Sequence, residues 1–257
     1  LVPTEDEDRS PILERSFERH GINIMTGTGV TGARSGPDGV AVTVAKDGAE
    51  ETLNCEKVLV AIGVQPNIED LGLESMGITI QDGSIQVDDV MLTNVANVYA
   101  IGDVTGKLAL AHVASAQAAT AVEHMAGLET QPLDYGSIPR ATYCNPQIAS
   151  FGLTEAQAKD QGHDVQIGTF NVQANGKALA MGESEGIVKL VVDGKYGELL
   201  GAHMIGPEVT ELLGELSLAK VLEGTTLELG WAIHPHPSIS EMLKEAALSA
   251  QGRAIHM

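Results

Sequence analysis

The chain has 257 residues, 43% of them hydrophobic and only 3% aromatic, with 29 glycines. That is enough apolar material for a buried core and two globular units, and it fits an α/β protein with tight turns better than an aromatic-rich sandwich. Asp and Glu number 35 against 15 Lys and Arg, a formal net charge of -20, which argues against nucleic acid or an anionic membrane as partner and reads as an acidic, solvated surface.

Residues 10–20 read as a helix, with Ile12, Leu13, Ser16 and Phe17 on one face, Pro11 in the first turn and Gly21 as the stop. Ile22–Met25, Val40–Val44 and Thr52–Leu53 read as short antiparallel strands, with turns at Gly36–Gly39 and Lys46–Gly48. Lys57–Ile62 has the apolar character of a strand buried on both faces, and Gly63 to Pro66 break it. A second apolar strand ends at Val98–Ile101, and an alanine-rich helix is expected over His112–Met125. Composition shifts near Gly127–Ser137, which marks a domain boundary. Beyond it the order is strand, strand, helix, three strands, then two helices. Thr154–Gln157 is a capping box opening a short helix. Ile187–Val192 and Leu199–Ile205 are strands joined by a turn at Asp193–Lys195, Pro207 opens a long amphipathic helix to about Leu222, and Ser238–Glu241 is a second capping box.

The two cysteines, Cys55 and Cys144, are far apart, so they form neither a secreted disulfide framework nor a zinc pattern; both read as buried, reduced packing residues, and no metal site is expected. The longest apolar stretch, Val58-Leu-Val-Ala-Ile-Gly-Val64, is too short to span a bilayer. No signal peptide is visible, and a cytoplasmic location is expected. The chain opens at Leu1 rather than at a methionine, which suggests a piece of a longer protein, with any targeting segment upstream.

Three motifs invite a chemical reading. Gly27-Thr-Gly-Val-Thr-Gly32 matches G-x-G-x-x-G, yet it leads into Ala33 to Pro37 and another strand, not into the helix whose N-terminus binds a pyrophosphate; it reads as chance glycine in a β-rich segment. Thr93-Asn-Val-Ala-Asn-Val-Tyr-Ala-Ile-Gly-Asp103 brings a glycine and a carboxylate to a strand end, where cofactors approach open α/β sheets, though a Gly-Asp turn alone is common. The helix starting near Ala111 adds a positive dipole end. His234-Pro-His-Pro-Ser-Ile-Ser-Glu241 carries a loop histidine and a carboxylate one turn into a helix. Two readings compete: a general acid–base pair of His236 and Glu241, or a capping box that already explains Ser238 and Glu241.

Taken in order, Val58 to Asn67, Thr93 to Asp103, Leu110-Ala-His112 and the terminal His-Pro…Glu resemble the pyridine nucleotide-disulfide oxidoreductases over essentially the whole chain. Within that family the doubled His-x-His-Pro, the Leu110-Ala-His112 stretch and Gly152-Leu-Thr-Glu155 are most similar to the dihydrolipoamide dehydrogenases. The resemblance implies an α/β flavin- and nicotinamide-binding region followed by an α+β interface domain with an antiparallel sheet. Residues 1–63 would be the tail of the NAD-binding domain, 64–134 the central segment completing the FAD region, and 135–257 the dimerisation domain. It implies that Asp103, Ala109, Leu110, Ala111 and His112 meet FAD, that Val30 and Gly63 lie beside NAD, and that His236 is the acid–base with Glu241 as its orienter. It further implies a homodimer, each base facing the partner's disulfide, and a lipoyl-bearing acyltransferase of a 2-oxo acid dehydrogenase complex as partner. Another thiol reductase of the family, glutathione reductase-like, or a non-catalytic dimerisation module are the alternatives. The family's Cys-x-x-x-x-Cys and its two glycine fingerprints are not found in these residues, so the chain by itself is expected to be inactive. A cis His236–Pro237 bond is expected, as is leftover apolar surface on the Pro207–Leu222 helix for a twofold contact.

Overall fold

The computed structural model describes Leu1–His256. The chain divides into two compact units: Leu1–Thr26 together with the residues from Gly136 onward, and Gly27–Tyr135. The mixed helix-and-sheet fold, with an antiparallel sheet after residue 135, is the class expected from sequence. Residues 1–26 pack with the second half of the chain.

The first unit begins with α1 (Arg9–Arg19). The Gly27–Tyr135 unit comes next in the chain. Its strands β1 (Gly29–Gly36), β2 (Gly39–Lys46) and β3 (Ala49–Cys55) form an antiparallel meander. The Gly27–Gly32 motif thus runs into a paired strand, with no helix behind it. Gly39 is required at its turn: its φ is +131°, and a Cβ there would stand 2.3 Å from the Cys55 carbonyl oxygen. The ladder buries little, since every residue of β1 is exposed and only Val42 and Val44 of β2 are buried. Two-residue strands β4 (Ile80–Gln81) and β5 (Ser84–Ile85) pair with each other, beside a small core of Leu73, Ile78, Ile85 and Ala100. A 3-10 turn over Gly102–Thr105 and helix α2 (Ala111–Met125) complete the unit.

Two expected strands are missing from this unit. Lys57–Ile62 carries no ladder, and Leu59 and Ile62 are 89% and 95% exposed. Val98–Ile101 reaches only an isolated bridge between Leu92 and Tyr99. A strand exists by pairing: among the described residues no neighbour pairs with Lys57–Ile62, and Val98–Ile101 has one bridge and too short a partner to extend it into a ladder, however strand-like its composition.

The second half builds a five-stranded antiparallel sheet in the order β6-β7-β10-β9-β8. Its members are β6 (Arg140–Thr142), β7 (Gln147–Gly152), β8 (Val165–Asn171), β9 (Ile187–Asp193) and β10 (Leu199–Gly206). Helix α3 (Glu155–Asp160) sits between β7 and β8, and α4 (Gly176–Met181) between β8 and β9. After β10 come α5 (Leu213–Val221), α6 (Thr226–Trp231) and α7 (Glu241–Ala250). Side chains alternate across the sheet. Val188, Leu190, Val192, Ala202 and Met204 join the main core with Leu216, Met242, Leu243 and Ala246. The opposite face sends Ile205 with Ile148 against Leu13 of α1, and Val191 with Leu200 against Ala158 of α3. Both faces are covered, which is why β9 and β10 read as continuous apolar runs rather than alternating ones.

Polar exceptions on the α1 face explain why residues 1–26 belong here. Lys189, 4% exposed, points its ammonium at Asp6 (2.9 Å), Asp8 (2.7 Å) and Glu155 (2.8 Å). Burial works against its charge, and the three carboxylates overcome that and raise its pKa. Arg9 is fully buried and donates to the Ile187 carbonyl at 3.2 Å. A lysine in mid-strand demands anions, and the N-terminal segment supplies two of them.

Three smaller expectations are corrected. Ile22–Met25 is irregular, with Ile22 and Met25 exposed. The helix expected from Pro207 starts only at Leu213, because Glu208 takes a left-handed φ of 53° that no helix accommodates. At Ser238–Glu241 only half of the capping box forms: the Ser238 N–H donates to Glu241 Oε2 at 2.8 Å, while the Ser238 hydroxyl pairs with Ser240. The box at Thr154–Gln157 is complete.

Candidate acid–base site

The loop between α6 and α7 carries His234 and His236, and the His236–Pro237 peptide is cis. The two histidines part company. The His234 side chain is 7% exposed and its Nε2 bonds Glu215 Oε1 on α5 at 2.8 Å, which anchors the loop. His236 is 78% exposed, and its Nδ1 bonds Glu241 Oε1 at 2.9 Å. The doubled histidine is therefore one anchor and one presented imidazole.

Glu241 serves both readings that competed in the sequence. One oxygen accepts from the Ser238 N–H at the start of α7, and the other meets the imidazole. Burial alone would raise its pKa; the Ser238 N–H and then His236 outweigh that and hold it below the ordinary carboxylate value. An ionised Glu241 accepts a proton-bearing Nδ1, so Nε2 is the nitrogen left for proton exchange at the surface. This is the orientation of a general base backed by a carboxylate.

A cavity of about 230 Å³ adjoins the pair, lined by Asn175, His234, His236, Glu241, Lys244 and His256 among others. One turn along α7, Glu245 is 5% exposed and binds the end of the chain: Oε2 accepts from the Ile255 and His256 N–H groups, and Oε1 meets His256 Nδ1 at 3.1 Å. Burial tends to raise the Glu245 pKa, and these bonds lower it. Neither His256–Glu245 nor His234–Glu215 was anticipated from sequence, since nothing in the spacing marks either pair. Asn175 was missed too, although an asparagine ahead of a helix is an N-cap signal.

The expected cofactor residues lie in the other unit. Asp103 is exposed in the 3-10 turn. Gly102 beside it has φ +76°, and its N–H donates to Gln117 Oε1 of α2 at 2.6 Å, so turn and helix are tied together. Ala109, Ala111 and His112 are exposed, Leu110 is half-buried, and no side chain caps the start of α2 at Leu110. An exposed carboxylate and an uncapped helix start, fixed to each other, fit a ligand carrying hydroxyls and accumulating negative charge. Val30 is 69% exposed on β1, and Gly63 lies in the irregular segment with φ +126°; the two are on separate elements. Among the described residues no group of three or more His, Cys, Asp or Glu is placed to hold a metal, and no helix is long and apolar enough to cross a membrane.

Residues 1–118 match the model of the pyridine nucleotide-disulphide oxidoreductases, and residues 138–247 match that of their dimerisation domain. The chain belongs to this family. Among curated relatives, the chain is 49% identical over 257 residues to the dihydrolipoyl dehydrogenase of Mycobacterium leprae, covering 99% of the chain and 55% of the relative. It is 48% identical to that of Bacillus subtilis, covering 100% and 54%. Among solved structures it resembles LpdA from Mycobacterium tuberculosis, with a TM-score of 0.88, 29% identity and coverage of 95% and 53%. It also resembles the HOCl-induced flavoprotein disulfide reductase RclA from Escherichia coli, with a TM-score of 0.86, 26% identity and coverage of 94% and 55%. The chain spans about half the length of the curated relatives it matches.

Proposed function

We propose that the chain is the C-terminal half of a flavin-dependent dihydrolipoamide dehydrogenase, which oxidises dihydrolipoamide with NAD as acceptor. The observation that carries the reading is the exposed His236 imidazole held by Glu241 at 2.9 Å, in a chain similar to dihydrolipoyl dehydrogenases along its whole length. His236 Nε2 takes the proton of a substrate thiol, and ionised Glu241 stabilises the imidazolium that results. The thiolate so formed needs a disulfide to attack, and Cys55 and Cys144 are free and in separate units. That disulfide belongs to the remainder of the enzyme.

FAD, when bound, supplies the two-electron carrier between disulfide and NAD. On this reading Asp103 holds flavin hydroxyls, and Ala109 to His112 set the start of α2 against its ring system. Val30 and Gly63 contribute backbone beside NAD, whose pyrophosphate has no fingerprint in this chain. A homodimer through the second half is part of the proposal: Leu218, Val221 and Leu222 of the α5 region are 59%, 80% and 70% exposed, and Trp231 is 67% exposed. So are a lipoyl-bearing acyltransferase as partner and work in the cytoplasm.

The test is NADH formation from dihydrolipoamide and NAD in the presence of excess FAD. The chain alone should not turn over. Co-expressed with the N-terminal half of a relative it should, and His236→Gln should then lower the rate by roughly 10²- to 10⁴-fold, the range for loss of a general base. Steady turnover by the chain alone, abolished by His236→Gln, would show that the N-terminal half is dispensable and overturn this division of labour.

A further inference from the structure

Ser238 lies two residues beyond His236, and both of its backbone groups are held. Its N–H donates to Glu241 Oε2 at 2.8 Å, and its carbonyl accepts from Asn175 Nδ2 at 2.9 Å. These groups flank one Cα, so fixing both sets the two soft torsions through which the His236 loop enters α7. Asn175 is 3% exposed and comes from a distant part of the chain, between β8 and α4. Its other end is used as well: Oδ1 accepts the Ala178 N–H at 2.9 Å and caps α4. A cap needs only an acceptor, and Ser, Thr or Asp serves as well there. Acceptor and donor together on one short planar group are what an asparagine adds. That second function is directed at the loop, and Asn175 lines the same cavity as His236 and Glu241.

We propose that Asn175 is a positioning residue for the acid–base pair: by holding the Ser238 carbonyl it keeps Glu241 shared between the Ser238 N–H and His236 Nδ1. The inference rests on the reading of His236 and Glu241 as that pair. Without the Asn175 donor, Ser238 turns more freely, the Glu241 carboxylate loses its fixed seat, and the imidazole loses the bond that selects its Nδ1–H tautomer.

The experiment is ¹⁵N NMR of histidine-labelled full chain, which reads the tautomer of each imidazole, with a thermal melt on the same samples. His20 and His163 serve as internal references. Asn175→Ala removes cap and donor together and risks the fold, so the decisive variant is Asn175→Ser, which keeps a capping oxygen and loses the Nδ2 amide that reaches the Ser238 carbonyl, its hydroxyl being one atom shorter. Glu241→Gln is the positive control. The expected result is an Asn175→Ser protein that melts as the parent does, with His236 losing Nδ1–H population to Nε2–H in the direction Glu241→Gln produces and the reference histidines unmoved. If Glu241→Gln shifts His236 and Asn175→Ser leaves it as in the parent, Asn175 is a cap and nothing more. If Glu241→Gln itself leaves His236 unchanged, the pair is not coupled, and the underlying reading falls together with this inference.

Discussion

Strands β9 and β10 and the segment Val58–Val64 are written in the same apolar residues, yet only the first two are strands. Leu190 and Met204 are fully buried, whereas Leu59, Val60, Ile62 and Val64 are 89%, 73%, 95% and 80% exposed. The difference lies in neighbours. β10 has β7 on one side and β9 on the other, with helices over both faces; residues 57–64 have no ladder among the described residues. Composition says what a segment tolerates, and pairing decides what it becomes. Substitutions should therefore act steeply around the sheet and weakly along Val58–Val64.

The largest effect is expected at the buried cation. Lys189→Ala strips Asp6, 3% exposed, of its ammonium, and breaking such a buried pair costs about 3–5 kcal/mol. Urea unfolding of the Leu1–Thr26 and Gly136-onward unit should show a lowered midpoint. A loss under about 1 kcal/mol would mean that water already screens the cluster, and the sheet's α1 face would be less closed than its burial implies.

The same cluster should make this unit acid-sensitive. Burial tends to raise the Asp6 pKa, but the bonds from Lys189 and the Glu155 N–H lower it; Glu155 is lowered by Lys159 first and then by Lys189. Carboxylates depressed in the folded state contribute stability that is fully present above their unfolded values, about 3.9 for Asp and 4.3 for Glu, and is lost as pH falls through the lower folded values. Melting temperature should be flat above about pH 5 and drop below about pH 4. Lys189, raised in the folded state, contributes stability present below its unfolded value of about 10.4. The acid drop should shrink in Lys189→Ala, and an unchanged drop there would assign it to other carboxylates.

A smaller effect belongs to the α3 cap. Thr154 Oγ1 accepts from the Gln157 N–H at 3.2 Å, and Gln157 Oε1 accepts from the Thr154 N–H at 3.0 Å. Thr154→Ala should cost about 1 kcal/mol, read from the same urea curves. The cap was legible because its chemistry is local: four consecutive residues contain it. So were the turns, α1, α2 and the β9–β10 hairpin. The His236–Glu241 pair was legible for the same reason, five residues apart with a helix start between them. Lys189 with Asp6, Asn175 with Ser238 and Glu245 with His256 were not, since each joins residues whose proximity only the fold creates. Glu208 was missed differently: a left-handed φ at an ordinary residue leaves no mark in composition.

The smallest effect is the sharpest check on the contrast between the sheet and Val58–Val64. Ile62 is 95% exposed and belongs to no strand. Removing an apolar side chain that is already in water forfeits almost no burial, and surface substitutions away from caps, charges and cores stay within about 0.5 kcal/mol. Ile62→Ser should leave the urea midpoint unchanged, whereas Leu190→Ala, the same class of residue at full burial, should cost about 2–5 kcal/mol. Solubility should move the other way, because an exposed run of Leu59, Val60, Ile62 and Val64 with free backbone groups is a template for association. Ile62→Ser is expected to raise the concentration at which the chain scatters light. If it instead destabilised the chain by more than about 1 kcal/mol, the segment would be packed against something in solution. Exposed composition and exposed surface would then not be the same thing here.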